Sequence, residues 1–300
     1  MMEQGPDTSS IANGLSVDVE DYYQVQALEK AYTRPNWDSY PSRVERNTRA
    51  ILDIFAASKV KGTFFTLGWI AERHPAMVRE IVAGGHELAS HGYCHFRVDS
   101  QSPEEFRADI RRTKAILEDI GGVEVRGYRA ATFSVGAKTP WAWPVLEEEG
   151  YRYSSSIYPV ARDNYSNPDA PRSVYKPAGV KSLIEVPIAT VRIGSRNYPC
   201  GGGGYFRLLP YSVSRAALRR INRHDHLPAV FYIHPWEVDP DQPRPSGVSA
   251  KSRLRHYTNL AKTGERLGRL TRDFRWNRMD SIFLDGSSER APTQTRNAAA

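Results

Sequence analysis

The sequence predicts an α/β fold, a distorted (β/α) barrel with about seven or eight parallel strands. The first reason is that short apolar segments typical of strands alternate with amphipathic segments typical of helices. The second reason is the length of 300 residues, with 40% hydrophobic and 25% charged residues, which suits a single α/β barrel. The third reason is that polar side chains follow several apolar segments, where barrel enzymes carry their catalytic groups.

The first half of the predicted barrel contains three strands, at residues 14–19, 62–66 and 87–90. In the helices between them, mostly apolar side chains recur at helical spacing. These side chains are Val44, Thr48, Ile51, Leu52 and Phe55 in the first helix, and Met77, Val78, Ile81 and Val82 in the second. Pro75 begins the second helix, and Gly84 and Gly85 end it.

The second half continues the alternation of helices and strands. A capping box of Ser102 and Glu105, with Pro103 at the first helical position, begins a helix that extends to Gly121. The remaining elements are strands near Val125 and at residues 151–155, 183–186 and 229–233, and a helix at 214–222. We expect long surface loops at residues 160–182 and 193–207, the second of which contains four consecutive glycines.

One domain is predicted, at residues 14–285, between a flexible N-terminus at 1–13 and a disordered tail at 286–300. Cys94 and Cys200 do not make a disulfide framework. No stretch approaches the roughly 20 apolar residues that span a membrane, so we expect no transmembrane segment and a cytoplasmic location. The net charge is +7, but the basic residues are scattered, so we expect no nucleic-acid binding.

Two histidines directly follow the predicted strand at 87–90. His91 and His95 are four residues apart, so both can face one metal ion from a single turn. Two polar loop histidines are the alternative interpretation. Cys94 lies between them, but its spacing suits a ligand poorly, and we expect a small buried thiol there.

Three acids, Asp18, Glu20 and Asp21, close the first predicted strand. Acids at the end of an apolar strand are costly unless they are solvated or paired with a cation. Residues 18 and 20 point to the same side of an extended strand, so one can bind a metal while the other takes a proton from water. Strand geometry favours Glu20 as the ligand, Asp21 remains open, and a helix N-cap cluster is the alternative.

Two further strand ends carry Arg129 and His234. An arginine at such a place can hold a carboxylate by paired hydrogen bonds, although a surface arginine is locally as plausible. His234 follows the apolar segment at 229–233 and is well placed as a general acid, with a satisfied core histidine as the alternative.

The ordered set of residues resembles the polysaccharide deacetylase family over roughly residues 14–240. The family's first motif, a strand that ends in paired acids, matches Asp18 with Glu20 or Asp21. Its His-Ser/Thr-x-x-His motif matches His91 and His95, with Gly92 in place of the hydroxyl residue. Its arginine motif matches Arg129, although Ala131 stands where proline is common, and its apolar-x-His strand end matches Ile233 and His234.

Longer segments resemble the subgroup associated with bacterial exopolysaccharide export and exosortase systems, among them SVDVEDYYQV, GGHELASHGYCH and FYIHPWEVDP. One departure concerns Ser154, which stands where this subgroup normally has aspartate before Ser-Ser-Ile-Tyr-Pro. In the family that acid orients and tunes the catalytic histidine. Either the acid is lost here or another one, such as Glu185, replaces it.

The resemblance implies a hydrolase of carbon–nitrogen bonds other than peptide bonds, which removes N-acetyl groups from amino sugars of a bacterial exopolysaccharide. A divalent metal ion, Zn²⁺ by expectation, would lie on His91, His95 and one acid. Asp18 would take a proton from the attacking water and Arg129 would hold Asp18. His234 would protonate the leaving amine.

Aromatic loop residues are candidates for binding an N-acetylated polysaccharide or oligosaccharide, Tyr205 and Trp236 above all. Tyr22, Tyr23, Trp69 and Phe206 are further candidates, and a core position is equally plausible for most of the set. Two other functions stay open. One is an amide hydrolase that acts on a small nitrogen-rich substrate, and the other is a non-catalytic carbohydrate-binding relic, which Ser154 favours.

Overall fold

A computed structural model describes residues 11–161 and 167–285, which form one curled sheet with helices around it. Eight parallel strands make up the sheet, so the predicted fold class is confirmed. They are β1 (Asn13–Val19), β2 (Thr63–Thr66), β3 (Glu87–Ser90), β4 (Gly127–Tyr128), β5 (Tyr153–Ser154), β6 (Ile184–Glu185), β9 (Val230–Ile233) and β10 (Trp276–Asn277). A separate antiparallel hairpin consists of β7 (Thr190–Ile193) and β8 (Arg196–Pro199).

Nine α-helices occur in the described residues, most of them amphipathic and packed on the sheet. They are α1 (Val44–Ala57), α2 (Gly68–Arg73), α3 (Pro75–Ala83), α4 (Pro103–Gly121), α5 (Ala142–Glu148), α6 (Gly203–Leu208), α7 (Tyr211–Arg223), α8 (Ala250–Tyr257) and α9 (Leu260–Asp273). The predicted capping box begins α4, since the Ser102 and Glu105 side chains each accept the other's backbone N–H.

Strand β1 lies at the centre of the sheet, and all seven of its residues are buried. It pairs with β2 on one side and with β9 and β10 on the other, while β3, β4, β5 and β6 follow β2 in order. Between β6 and β9 the wall is completed by extended chain, where the N–H of Tyr232 donates to the carbonyl of Gly201 at 2.8 Å. Because all eight strands are parallel, their carboxyl ends meet at one rim of the sheet.

The surface loop predicted at residues 193–207 is wrong. This stretch contains β8 and most of α6, and the turn between β7 and β8 is Gly194-Ser195, with Gly194 at a φ of 60°. A two-residue turn that contains glycine between two strands is a recognised hairpin pattern that the prediction missed. The glycine run is buried at Gly201, Gly202 and Gly203, because these residues pack directly against β9 and the segment after it.

The predicted flexible N-terminus and the predicted disordered tail lie mostly outside the described residues. Residues 1–10 and 286–300 are not described, whereas Asn13, predicted to belong to the N-terminus, is the first residue of β1. Among residues 11–161 and 167–285, no helix has both the length and the apolar character needed to cross a membrane. The cytoplasmic location stays a prediction.

Candidate active site

The rim formed by the carboxyl ends of the strands brings together the polar residues that the sequence singled out. Asp18 lies in β1, His91 follows β3, Arg129 follows β4 and His234 follows β9. Asp18, His91 and Arg129 are each less than 4% exposed. Groups far apart in the sequence thus share one buried site, as expected at this end of a barrel.

The side chains of Glu20, His91 and His95 form a cluster that fits a metal ion. One ligand atom from each of Glu20, His91 and His95 lies within 4.8 Å of the others, and all three residues are buried. Burial lowers the pKa of both histidines, so their rings are neutral and able to coordinate a metal ion. The Glu20 Oε2 atom is buried and lies 3.3 Å from Nε2 of His95, and none of the described residues donates a hydrogen bond to it, a costly arrangement that a bound cation would relieve.

The ring of His91 is oriented for coordination by its backbone neighbour. Its Nδ1 lies 2.8 Å from the carbonyl oxygen of Arg129, which can only accept, so Nδ1 donates the proton. Nε2 is then the nitrogen that is free to bind a metal ion. A hydrogen bond from the second ring nitrogen to a carbonyl is common in protein metal sites, where it fixes the tautomer and the ring direction.

The loop that carries the two histidines has an unusual backbone. Gly92 has a φ of 76° and His95 a φ of 54°, both in the left-handed region. A side chain at position 92 would be strained there, and its Cβ would lie 3.1 Å from Oδ1 of Asp109. Glycine at position 92 thus suits both this backbone conformation and the close approach of Asp109. His95 carries local strain of the kind found at functional sites.

Asp21 has a different role from Glu20. Its carboxylate accepts four hydrogen bonds, from Tyr22 N, Ser42 Oγ, Arg43 N and Val44 N, at 2.7–3.0 Å. It therefore caps the 3-10 turn Tyr22–Gln24 and the start of α1, as in the N-cap alternative. The geometry favours Glu20 as the acidic ligand, because Asp21 does not belong to the cluster of potential ligand atoms.

Asp18 and Arg129 form a buried ion pair. Nη1 of Arg129 donates to Oδ1 of Asp18 at 2.6 Å and to Oγ of Ser16 at 2.8 Å. The rest of the guanidinium donates to Ser155, to its carbonyl at 3.1 Å and to its hydroxyl at 2.9 Å. The Phe65 ring lies 4.1 Å from the guanidinium carbon. Arg129 thus holds the Asp18 carboxylate in one position.

His234 lies between two carboxylates. Nε2 is 3.1 Å from Oε1 of Glu20, and Nδ1 is 2.7 Å from Oε1 of Glu237. Burial lowers the pKa of His234, but Glu20 and Glu237 outweigh it and raise the pKa to about 9. Burial raises the pKa of Glu237, but Arg207 and His234 outweigh it and lower the pKa to about 2, so Glu237 is ionised.

The carboxylate beside His234 was not the one that the sequence analysis considered. Ser154 Oγ donates to Ser156 Oγ at 2.9 Å. Glu185 accepts from Trp143 Nε1 and from two backbone N–H groups, so neither residue is the partner of His234. Ser154 thus lies beside Ser156 and Glu185 rather than beside His234, and it is Glu237, not Glu185, that supplies the carboxylate. Glu237 was missed, although His-x-x-Glu at a strand end is a recognisable spacing.

Most of the predicted sugar-binding aromatic residues belong to the core. Trp236 is 5% exposed, and the imidazoles of His234 and His256 stack on its ring at 5.0 and 4.2 Å. The stacking role predicted for Trp236 does not fit, because little of the ring surface is left for a sugar. Of the other candidates, Tyr22, Tyr23, Trp69 and Phe206 are buried. Tyr205 is partly exposed and lines a cavity of about 900 Å³.

The described residues form a curled parallel barrel with a carboxylate–histidine cluster at the carboxyl ends of its strands. Residues 33–154 match the family model of polysaccharide deacetylases. Residues 155–284 match a domain of unknown function, DUF3473. The chain is therefore similar to polysaccharide deacetylases over residues 33–154 and to the domain of unknown function over the following residues.

Two curated proteins give the scale of the sequence similarity. A chitooligosaccharide deacetylase of Rhizobium leguminosarum bv. trifolii is 32% identical over 149 residues, which is 49% of this chain and 62% of that protein. A peptidoglycan-N-acetylglucosamine deacetylase of Bacillus cereus is 37% identical over 75 residues, which is 25% of this chain and 27% of that protein. The chain therefore matches less than two thirds of the length of either relative.

Solved structures show the same fold at low sequence identity. A Mycobacterium smegmatis protein assigned to the polysaccharide deacetylases has a TM-score of 0.60 and 20% identity, with 99% of each chain covered. The allantoinase PuuE has a TM-score of 0.60 and 17% identity, with 96% of this chain and 94% of that chain covered. Because the two scores are equal, the fold does not distinguish between these activities.

Proposed function

We propose that this protein is a metal-dependent N-deacetylase of amino sugars in a bacterial exopolysaccharide. The observation that supports the proposal most is the cluster of Glu20, His91 and His95 beside Asp18 and His234. Two neutral imidazoles and a carboxylate are a donor set typical of catalytic zinc sites, which leave positions open for water and substrate. We therefore expect Zn²⁺ as the native ion. When bound, such an ion supplies Lewis-acid chemistry, since it polarises a carbonyl group and makes water more acidic.

The proton steps fall to residues of this chain. Asp18 is the base that takes a proton from the attacking water, and Arg129 keeps its carboxylate in place. His234 is the acid that protonates the leaving amine from Nε2, because Nδ1 is engaged with Glu237. Acetate and a free amino sugar are the products.

Sequence resemblance supports a polymeric substrate. The segments quoted above resemble the subgroup of exopolysaccharide systems, and the relatives named above act on chitooligosaccharide and on peptidoglycan N-acetylglucosamine. Tyr205 lines a cavity of about 900 Å³ together with Tyr198 on the hairpin, but the residues proposed for catalysis do not belong to its lining. Tyr205 stays our candidate for contact with the sugar because its side chain is partly exposed, whereas the other aromatic candidates are buried.

The test is release of acetate from N-acetylglucosamine oligomers of increasing length and from N-acetylated exopolysaccharide. Each assay is run as purified, after a chelator, and after Zn²⁺ is added back, with His91→Ala as the inactive control. We expect release that disappears with the chelator and returns with Zn²⁺. Loss of metal in His91→Ala without loss of activity would contradict the proposal.

One competing function stays open, amide hydrolysis of a small nitrogen-rich molecule, because an allantoinase shares this fold. A panel of small ureides belongs in the same assay, and turnover of these compounds alone would favour that function. The non-catalytic relic loses its main argument, because Glu237 supplies a carboxylate beside His234 despite Ser154.

A further inference from the structure

The Glu237 carboxylate lies in a fully buried network behind His234. Glu237 is 0% exposed, and it bonds to His234 Nδ1 at 2.7 Å through Oε1. The same Oε1 accepts the backbone N–H of His234 at 3.1 Å. Its other oxygen accepts a hydrogen bond from Nε of Arg207 at 2.6 Å. One ionised carboxylate thus joins the imidazole to a buried guanidinium.

Arg207 is held from the opposite side. It is 2% exposed and lies in α6. Its remaining guanidinium nitrogens donate to the carbonyls of Arg255, His256 and Thr258 at 2.8–3.0 Å. These carbonyls lie at the end of α8 and just after it, where a guanidinium is favoured by the helix dipole. All of these residues belong to the part of the chain that matches the domain of unknown function.

The first two residues of α6, Gly203 and Gly204, differ in how close they lie to the Glu237 carboxylate. A Cβ placed on Gly203 would overlap both carboxylate oxygens of Glu237, whereas a Cβ on the adjacent Gly204 meets no atom of the described residues within 4 Å. Gly203 has no positive φ, so its backbone conformation does not require glycine. Its requirement comes from the close approach of Glu237.

We propose that Glu237 is the positioning residue for His234. Arg207 holds the Glu237 carboxylate, and glycine at position 203 leaves room for it. Position 154 does not supply this carboxylate, which comes from the loop that carries the histidine itself, three residues further on. Glu237 keeps the proton on Nδ1 and directs Nε2 toward Asp18 and Glu20. The region after residue 155 therefore contributes to catalysis through Arg207. The inference rests on the proposed function for its kinetic test only.

The first experiment measures kcat and KM for acetate release with Glu237→Gln in the zinc-loaded enzyme. We expect kcat to fall about 10- to 100-fold, the usual cost of one hydrogen bond to a charged group, with KM and bound zinc unchanged. The control Asp273→Asn removes a carboxylate of α9 that is paired with Arg215 of α7, and it should leave kcat unchanged. A wild-type kcat in Glu237→Gln would overturn the proposal. Arg207→Lys keeps the charge but loses the forked contacts, and it should lower kcat by a smaller factor.

The second experiment uses the two adjacent glycines. Gly203→Ala should lower kcat by about the same factor as Glu237→Gln, and Gly204→Ala should not. In a Glu237→Ala background the extra methyl group no longer meets a carboxylate, so Gly203→Ala should cause no further loss. Independent, multiplying losses in the double variant would overturn the proposal, because they would mean that Gly203 acts on kcat without Glu237.

A readout without turnover separates this inference from the proposed function. The proton NMR spectrum should contain a low-field Nδ1 proton from His234, which moves upfield in Glu237→Gln and in Gly203→Ala but not in Gly204→Ala. If the wild-type protein releases no acetate yet shows these shifts, the proposed function fails and the positioning role stands. If the signal is unchanged in both variants, the positioning role fails.

Discussion

Replacement of Arg129 by methionine should destabilise the fold strongly, because it leaves the Asp18 carboxylate buried without its cation. Arg129 is 0% exposed and makes five polar contacts, two to Ser155 and one each to Asp18, Ser16 and the sulfur of Met279. Removal of one partner from a buried pair typically costs about 3–5 kcal/mol. Native domains are stable by about 5–15 kcal/mol, so this change removes a large share of the total.

The assay is urea unfolding with a chelator present, on the wild-type protein, Arg129→Met, Asp18→Asn and the double variant. Asp18→Asn in the Arg129→Met background removes the unpaired charge, so the double variant should be more stable than the sum of the single losses predicts. We expect a coupling energy of about 2–3 kcal/mol. Additivity of the two losses within about 0.5 kcal/mol would refute the reasoning, since it would mean that Asp18 and Arg129 do not act as a pair.

Three further predictions concern single residues. Glu20→Gln should lose bound zinc, as measured by elemental analysis. Asp21→Asn should retain zinc but unfold at a lower temperature, because the four hydrogen bonds to the Asp21 carboxylate weaken. Equal zinc loss in both variants would contradict the assignment of Glu20 as the ligand. Ser154→Asp should lower stability without raising kcat, because it places a second carboxyl group beside buried Glu185; a higher rate would reinstate a role for position 154. Burial and the nearby Asp280 carboxylate raise the pKa of Glu87 above its ordinary value, so its stabilising contribution is fully present below pH 4.5 and is lost as the pH rises through the raised pKa. Glu87→Gln should therefore unfold with a weaker pH dependence above pH 4.5, and parallel curves would refute it.

Local patterns in the sequence were sufficient to predict the barrel and the rim of the site. Strands β2 and β9 were recognisable as short segments of β-branched and aromatic residues, and β1 and β3 as short segments between predicted turns and helices. Parallel strands bring their carboxyl ends to one rim, so the strand ends alone indicated that Asp18, His91, Arg129 and His234 would meet. The resemblance of these motifs to a family then named the chemistry, and the family model matches residues 33–154.

Only the tertiary structure decided which polar groups are partners. Glu20 and Asp21 are neighbours in the sequence, yet Glu20 faces the histidines while Asp21 binds four groups at the start of α1. The partner of His234 is Glu237. Arg207 binds the Glu237 carboxylate, and glycine at position 203 leaves room for it. Such choices depend on directions and distances between segments far apart in the chain. Periodicity indicates which face of a strand is buried, but hydrogen bonds and ion pairs require atoms within about 3 Å, and packing alone sets those distances.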